Sequence, residues 1–167
     1  CPIYYNRYGT GRPREDDSRR CWCQSAYIDS PNAPLYPFGY GLSYTEFTYG
    51  KPYVDKTVLQ SGGDDCITVC CELANTGKYD GKEVVQMYVR DMVGSVVRPV
   101  RELKGFKKVF VKRGEKVVVS FTIREEDLAF YNAKLEKRAE KGAFRVWIGG
   151  DSRGDSTCSE YVEFELV

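Results

Sequence analysis

Three acidic side chains in succession, Glu125-Glu126-Asp127, come nearest in this 167-residue chain to a cluster able to give and take protons. General acid–base work needs two such groups held apart, with surroundings that push their pKa values in different directions. Adjacent residues of one backbone turn do not provide that. A carboxylate run ending in Leu128 reads instead as the start of a short helix, where the positive end of the peptide dipoles favours negative charge. The chain has no histidine, which removes the commonest general base and every Ser–His or Cys–His nucleophile. Gly149-Gly150-Asp151 lacks the Lys-Ser/Thr ending of a phosphate-cradling loop.

The seven cysteines, Cys1, Cys21, Cys23, Cys66, Cys70, Cys71 and Cys158, cannot all pair within one chain. Cys21-x-Cys23 with Cys1 could approach a metal ion, but without a histidine or a C-x-x-C knuckle no metal site is expected, and no cofactor either. Cys70 and Cys71 fall in a strand pattern, where neighbours point to opposite faces and act as small apolar side chains. Free thiols suit a reducing compartment and favour a cytoplasmic location, with a secreted or periplasmic one kept open. A chain opening at Cys1 without a methionine reads as a piece of a longer polypeptide.

Two aromatic residues could bind a ligand. Trp22 and Tyr27, flanked by Arg19, Arg20 and Asp29, have the chemistry to stack on a sugar ring and hydrogen-bond its hydroxyls, which makes them candidate substrate-binding residues at an active-site mouth. The competing use is packing against a neighbouring domain. Arg153-Gly154-Asp155 reproduces an adhesion tripeptide, but that sequence arises readily in a Gly/Asp-rich turn. The near balance of 25 basic and 24 acidic side chains leaves +1, with no field to attract nucleic acid or anionic lipid. No apolar run approaches the ~18 residues of a membrane span.

The elements that must position these residues are strands. Val117, Val119, Phe121 and Ile123 alternate with Val118, Ser120 and Thr122, and Val85, Met87 and Val89 alternate with Val84, Gln86, Tyr88 and Arg90. Strands are expected over 44–49, 52–60, 66–74, 82–91, 101–111, 115–123, 143–149 and 160–166. With turn signals about every ten residues and no helix long enough for a crossover, the pattern predicts an all-β, antiparallel two-sheet sandwich. Residues 1–43 carry five of the seven prolines and no sustained periodicity, and so form an irregular N-terminal tail that needs another surface to lie on. The tail ends in Tyr36-Pro37-Phe38-Gly39-Tyr40-Gly41-Leu42-Ser43-Tyr44. Its apolar residues fall at every second position with Gly or Ser between, as in an extended docking strap that a neighbouring backbone can approach closely.

Pro34 to Phe47 resembles the signature that enters the fibronectin type III-like domain at the C-terminal end of glycoside hydrolase family 3 β-glucosidases. The likeness continues in order through Asn75-Thr76-Gly77, Glu83 to Val89, Arg98-Pro99, Glu102 to Phe106 and Phe130-Tyr131. Tyr5-Asn6 and Thr10 to Pro13 are similar to the last loop of the α/β domain that precedes it. The resemblance implies an immunoglobulin/fibronectin type III-like sandwich over residues 44–167, with 1–43 as the end of the preceding domain and linker. It also implies that the catalytic carboxylates lie in a barrel and an α/β domain before this segment, so the catalytic set here is none. The expected role is a non-catalytic accessory and stabilising domain whose partners are those catalytic domains. The alternative is a carbohydrate-binding module in contact with oligosaccharide, which needs exposed aromatics on one face; Tyr49, Tyr53, Tyr79 and Tyr88 form no obvious stripe.

Overall fold

The computed structural model describes residues 5–8, 27, 31, 33–153 and 160–167. Side-chain alternation decides which face of each strand is buried, and the chain folds into two facing sheets. In chain order the elements are β1 (Phe47–Tyr49), β2 (Tyr53–Val54), β3 (Val58–Leu59), β4 (Cys66–Asn75), β5 (Gly81–Asp91), β6 (Glu102–Val111) and β7 (Lys116–Arg124). These are followed by the one-turn helix α1 (Glu125–Leu128), then β8 (Phe130–Tyr131), β9 (Lys137–Arg138), β10 (Gly142–Gly149) and β11 (Tyr161–Leu166). In the first sheet β4 pairs with β7 along one edge, while β1 and β2 share the other. The second runs β3-β11-β10-β5-β6.

The core lies between the sheets. Ile67, Val69, Cys71 and Leu73 of β4 and Val119, Phe121 and Ile123 of β7 meet Val85, Met87 and Val89 of β5, and Phe144, Val146 and Ile148 of β10. Phe144 stacks on Phe164 of β11 at 5.3 Å between ring centroids. Each fully buried side chain of this size contributes about 1.5–3 kcal/mol. The expected alternation in β4, β5 and β7 is what the sandwich uses. Among the described cysteines, Cys66, Cys70 and Cys71 are free thiols, and burial pushes the Cys71 thiol up to about 11.

The expected strand over 52–60 is corrected to two short strands in different sheets. Asp55 bends the chain, donating its amide to the Thr68 carbonyl (3.1 Å) while its carboxylate accepts the Thr68 amide (2.9 Å). Val54 therefore stays with β4, while Leu59 crosses into the core beside β11. The β3–β11 pair is parallel, the exception in an otherwise antiparallel arrangement. The β8–β9 hairpin was also not expected. It closes on Asn132, whose Oδ1 accepts the amides of Lys134 (2.9 Å) and Glu136 (3.1 Å), and it places Leu135 at φ 63°. No helix among the described residues is long and apolar enough to cross a membrane.

One strand breaks the half-buried pattern. From Val85 to Val89, β5 is buried on both faces, so something covers Gln86 and Tyr88 from outside.

Candidate functional site

The cover is the strap together with residues 5–8. Gln86 donates through Nε2 to the carbonyls of Gly39 (3.1 Å) and Gly150 (2.6 Å), and its Oε1 accepts the hydroxyl of the fully buried Tyr88 (2.6 Å). Every polar atom of that buried amide thus has a partner, as burial requires. Tyr5 stacks on Phe38 at 4.1 Å and meets Tyr88 edge-on at 6.0 Å. The amide of Val100 donates to the carbonyl of Arg7 (2.8 Å), and that of Ser152 to the carbonyl of Phe38 (2.9 Å). Arg101 lies 4.2 Å above the Trp147 ring, and Arg153, paired with Asp151 (2.9 Å), lies 5.5 Å above Tyr40.

The strap's glycines divide its two sides. Gly39 has φ +82°, and a Cβ there would fall 2.0 Å from Gln86 Oε1, so only glycine lets the strap sit this low. Gly41 has nothing within 4 Å of a Cβ position. The side turned from the sheet is apolar and uncovered: Leu35 is 88% exposed, Tyr36 70%, Leu42 90% and Tyr44 98%. Val93 (80%) and Val97 (65%), on the loop between β5 and β6, are exposed as well.

That loop is held from beneath by a charge cluster. Arg98 pairs with Glu102 (2.9 Å) and lies 4.0 Å above the Phe130 ring, with its Nε 3.8 Å from Asp91 Oδ2. Burial pushes the Asp91 carboxyl above its ordinary value, against the Val93 amide and Arg98, which pull it down. Ser95 donates its amide (2.8 Å) and hydroxyl (2.5 Å) to Glu140. Below the strap, Asn75 is almost wholly buried: its Oδ1 accepts from Thr45 Oγ1 (2.7 Å), and its Nδ2 donates to the carbonyls of Tyr79 (2.8 Å) and Val111 (3.0 Å). A Cβ on Gly77 would lie 2.3 Å from the Glu46 amide, which explains Asn-Thr-Gly at this corner.

The acidic run has a structural use. A groove of about 610 Å³ beside it is lined by Asp64, Asp65, Arg124, Glu125, Lys137 and Arg138 among others. Glu125 accepts from the Gly62 amide and the Ser61 hydroxyl, which hold its carboxyl below the usual range. Asp127 accepts the Arg124 amide (2.9 Å) at the head of α1. Lys56, then the Gln60 amide, hold Asp65 down too. A general acid at neutral pH needs a raised pKa, and Glu125 and Asp65 are pushed the other way.

Of the two candidate sugar-binding residues, Trp22 lies outside the described residues, and Tyr27 is an exposed side chain. Cys1, Cys21, Cys23 and Cys158 and the residues Gly154-Asp155 also lie outside them. The four tyrosines weighed for a binding face do not share one: Tyr88 is fully buried, Tyr49 bonds Glu83 (2.8 Å), Tyr53 lies in the first sheet and Tyr79 in a turn. From sequence Gln86 has no legible role beyond alternation, because its partners, Gly39 and Gly150, are 47 and 64 residues away.

Residues 83–152 match the family described as the fibronectin type III-like domain. A periplasmic β-glucosidase of Salmonella typhimurium is 45% identical over 151 residues, which is 90% of this chain and 19% of that protein. A β-xylosidase of Formosa agariphila is 46% identical over 129 residues, covering 77% of this chain and 18% of the relative. The crystal structure of a β-glucosidase from Listeria innocua in complex with glucose superposes with a TM-score of 0.86 at 39% identity, over 98% of this chain and 22% of that one. The chain spans about a fifth of the length of the relatives it matches.

Proposed function

The chain belongs to the fibronectin type III-like domains of glycoside hydrolase family 3 β-glucosidases and related glycosidases, and from that membership we propose that it is the non-catalytic accessory domain of such an enzyme. On this reading residues 1–43 are the end of the preceding α/β domain and its linker, and 44–167 are the sandwich. The parent hydrolyses terminal β-glycosidic bonds with carboxylates supplied by the preceding barrel and α/β domains. This chain holds those domains in register.

The observation that carries the reading is the two-sided strap. One side is tied to the sandwich through Gln86, Tyr88, Tyr5 and Ser152, while Leu35, Tyr36, Leu42 and Tyr44 stand uncovered on the other. Exposed apolar side chains on a strap fixed this firmly suit a permanent intramolecular neighbour. Deleting residues 44–167 from the parent is expected to lower its inactivation temperature by several degrees while leaving its catalytic carboxylates in place. A truncated parent with unaltered thermal inactivation would count against the reading.

Trp22 and Tyr27 would then border the active-site mouth. Trp22→Ala in the parent is expected to raise KM across several aglycones, and unchanged KM and kcat would remove that assignment. The free thiols of Cys66, Cys70 and Cys71 support a reducing, cytoplasmic setting, whereas the Salmonella relative is periplasmic by name. Thiol titration of the protein isolated without reductant separates the two: six or seven free thiols support a reducing setting, and thiols lost to disulfides favour the periplasm.

A further inference from the structure

Beyond the strap, the outer face of the second sheet carries a pattern that the accessory role does not use. On β6, Phe106, Lys108 and Phe110 point outward, because Gly105 faces Phe121 across the core and Val109 and Val111 pack inward. The register with β5 sets Gln86 opposite Phe106, Val84 opposite Lys108 and Lys82 opposite Phe110. Phe106 is 68% exposed, Phe110 50% and Val84 39%. Two aromatic rings thus stand about 13 Å apart along one edge strand, four residues at a rise of about 3.3 Å each, with Lys108 between them and Lys82 beside Phe110 on the neighbouring strand.

Along the β5–β6 edge of this face the charge is one-sided, whereas the exposed Glu163 and Glu165 lie on β11, two strands from β5. Neither Lys82 nor Lys108 forms an ion pair among the described residues, whereas Lys104, Lys116 and Lys56 each have a carboxylate partner. The two acidic groups at the far end, Asp80 and Glu115, accept the backbone amides of Arg113 and Lys112. Two copies meeting face to face would oppose lysine to lysine, which disfavours self-association through this surface. A folded acidic protein would be expected to need a larger contiguous apolar centre. A narrow line of rings and ammonium groups along an open strand edge fits an extended chain that offers apolar faces at intervals with carboxylates between them.

We propose that the Phe106–Lys108–Phe110 line of β6, with Lys82 and Val84 of β5, binds a β-linked polysaccharide bearing uronate-type carboxylates. The rings take the apolar faces of separated sugar units, while Lys108 pairs with a carboxylate between them and Lys82 with one beside the Phe110 ring. The site does not rest on the strap's docking role. It revives the binding-module alternative on residues other than the tyrosines considered from sequence.

The test is affinity electrophoresis of the chain, and of its complete parent polypeptide, through gels containing carboxymethyl cellulose, hydroxyethyl cellulose or poly-glutamate. Retardation is expected in carboxymethyl cellulose and not in hydroxyethyl cellulose, for both proteins, and should weaken as salt is raised. The double variant Phe106→Ala/Phe110→Ala and the double variant Lys82→Gln/Lys108→Gln should each weaken retention roughly ten-fold. All four positions are exposed, so thermal midpoints should hold and separate lost binding from lost folding. Leu42→Asp/Tyr44→Asp should leave retention intact, which keeps this site distinct from the strap. Three results overturn the proposal: no retardation by carboxymethyl cellulose, retention indifferent to loss of the two rings, or equal retention by poly-glutamate. Retention by the isolated chain but not by the complete parent overturns it as well.

Discussion

Gly39 and Gly41 sit two residues apart in the same strap, yet they face different demands. At Gly39 a methyl group would collide with Gln86 Oε1 and the backbone is left-handed, whereas at Gly41 the space is open. Gly39→Ala should cost about 1–2 kcal/mol from the backbone alone and release the strap, seen as faster amide exchange at Tyr40 and Ser152. Gly41→Ala should leave both exchange rates unchanged, and equal effects at the two positions would contradict the geometry. Glu83 gives a second residue-scale prediction. Burial raises its carboxyl, against the Tyr49 hydroxyl, which lowers it. A raised carboxyl contributes stability that is complete below the unfolded-state pKa and is lost as pH rises through the folded value. Glu83→Gln keeps a hydrogen-bond acceptor and removes the charge. Its thermal midpoint should equal that of the wild-type chain near pH 4 and exceed it at pH 7; a lower midpoint at pH 7 would show that the ionised pair stabilises.

At the scale of elements, the loop between β5 and β6 depends on Arg98. Removing that side chain strands the buried Asp91 without its cation and strips the guanidinium from Phe130. Arg98→Ala should cost about 3 kcal/mol in chemical denaturation. Asp91→Asn should cost less, because burial already disfavours its charge; the reverse order would remove the cluster from this account. Strands of regular alternation were legible in advance: β4, β5, β7, β10 and β11 all fall where two-residue periodicity places them. Segment 52–60 was not, because the Asp55 bend rests on Thr68, thirteen residues away and invisible to a local pattern. The hairpin of β8 and β9 escaped for a related reason, since Asn132 organises it while Leu135 takes a backbone conformation that leucine rarely adopts. The spacing of residues 36–44 marks them as a strap that lies on another surface. Which side would lie on the sandwich could not be read from it, because that depends on Gln86 and Tyr88 on another strand.

For the whole molecule, the sandwich completes its own core, and the strap turns a second apolar surface outward. This division fits a domain that folds around its own sheets and then grips a larger neighbour. In the Listeria innocua β-glucosidase that 98% of this chain matches, the matched part is about a fifth of the polypeptide. The central claim is that the outward side of the strap is the grip. The most direct test mixes the purified chain with the preceding catalytic portion of the parent, expressed separately, and measures association by calorimetry. The account predicts one-to-one binding by the wild-type chain and at least a hundred-fold loss, about 2.7 kcal/mol, for Leu42→Asp/Tyr44→Asp, with the sandwich's own thermal midpoint unchanged. Undiminished binding by that variant would contradict it.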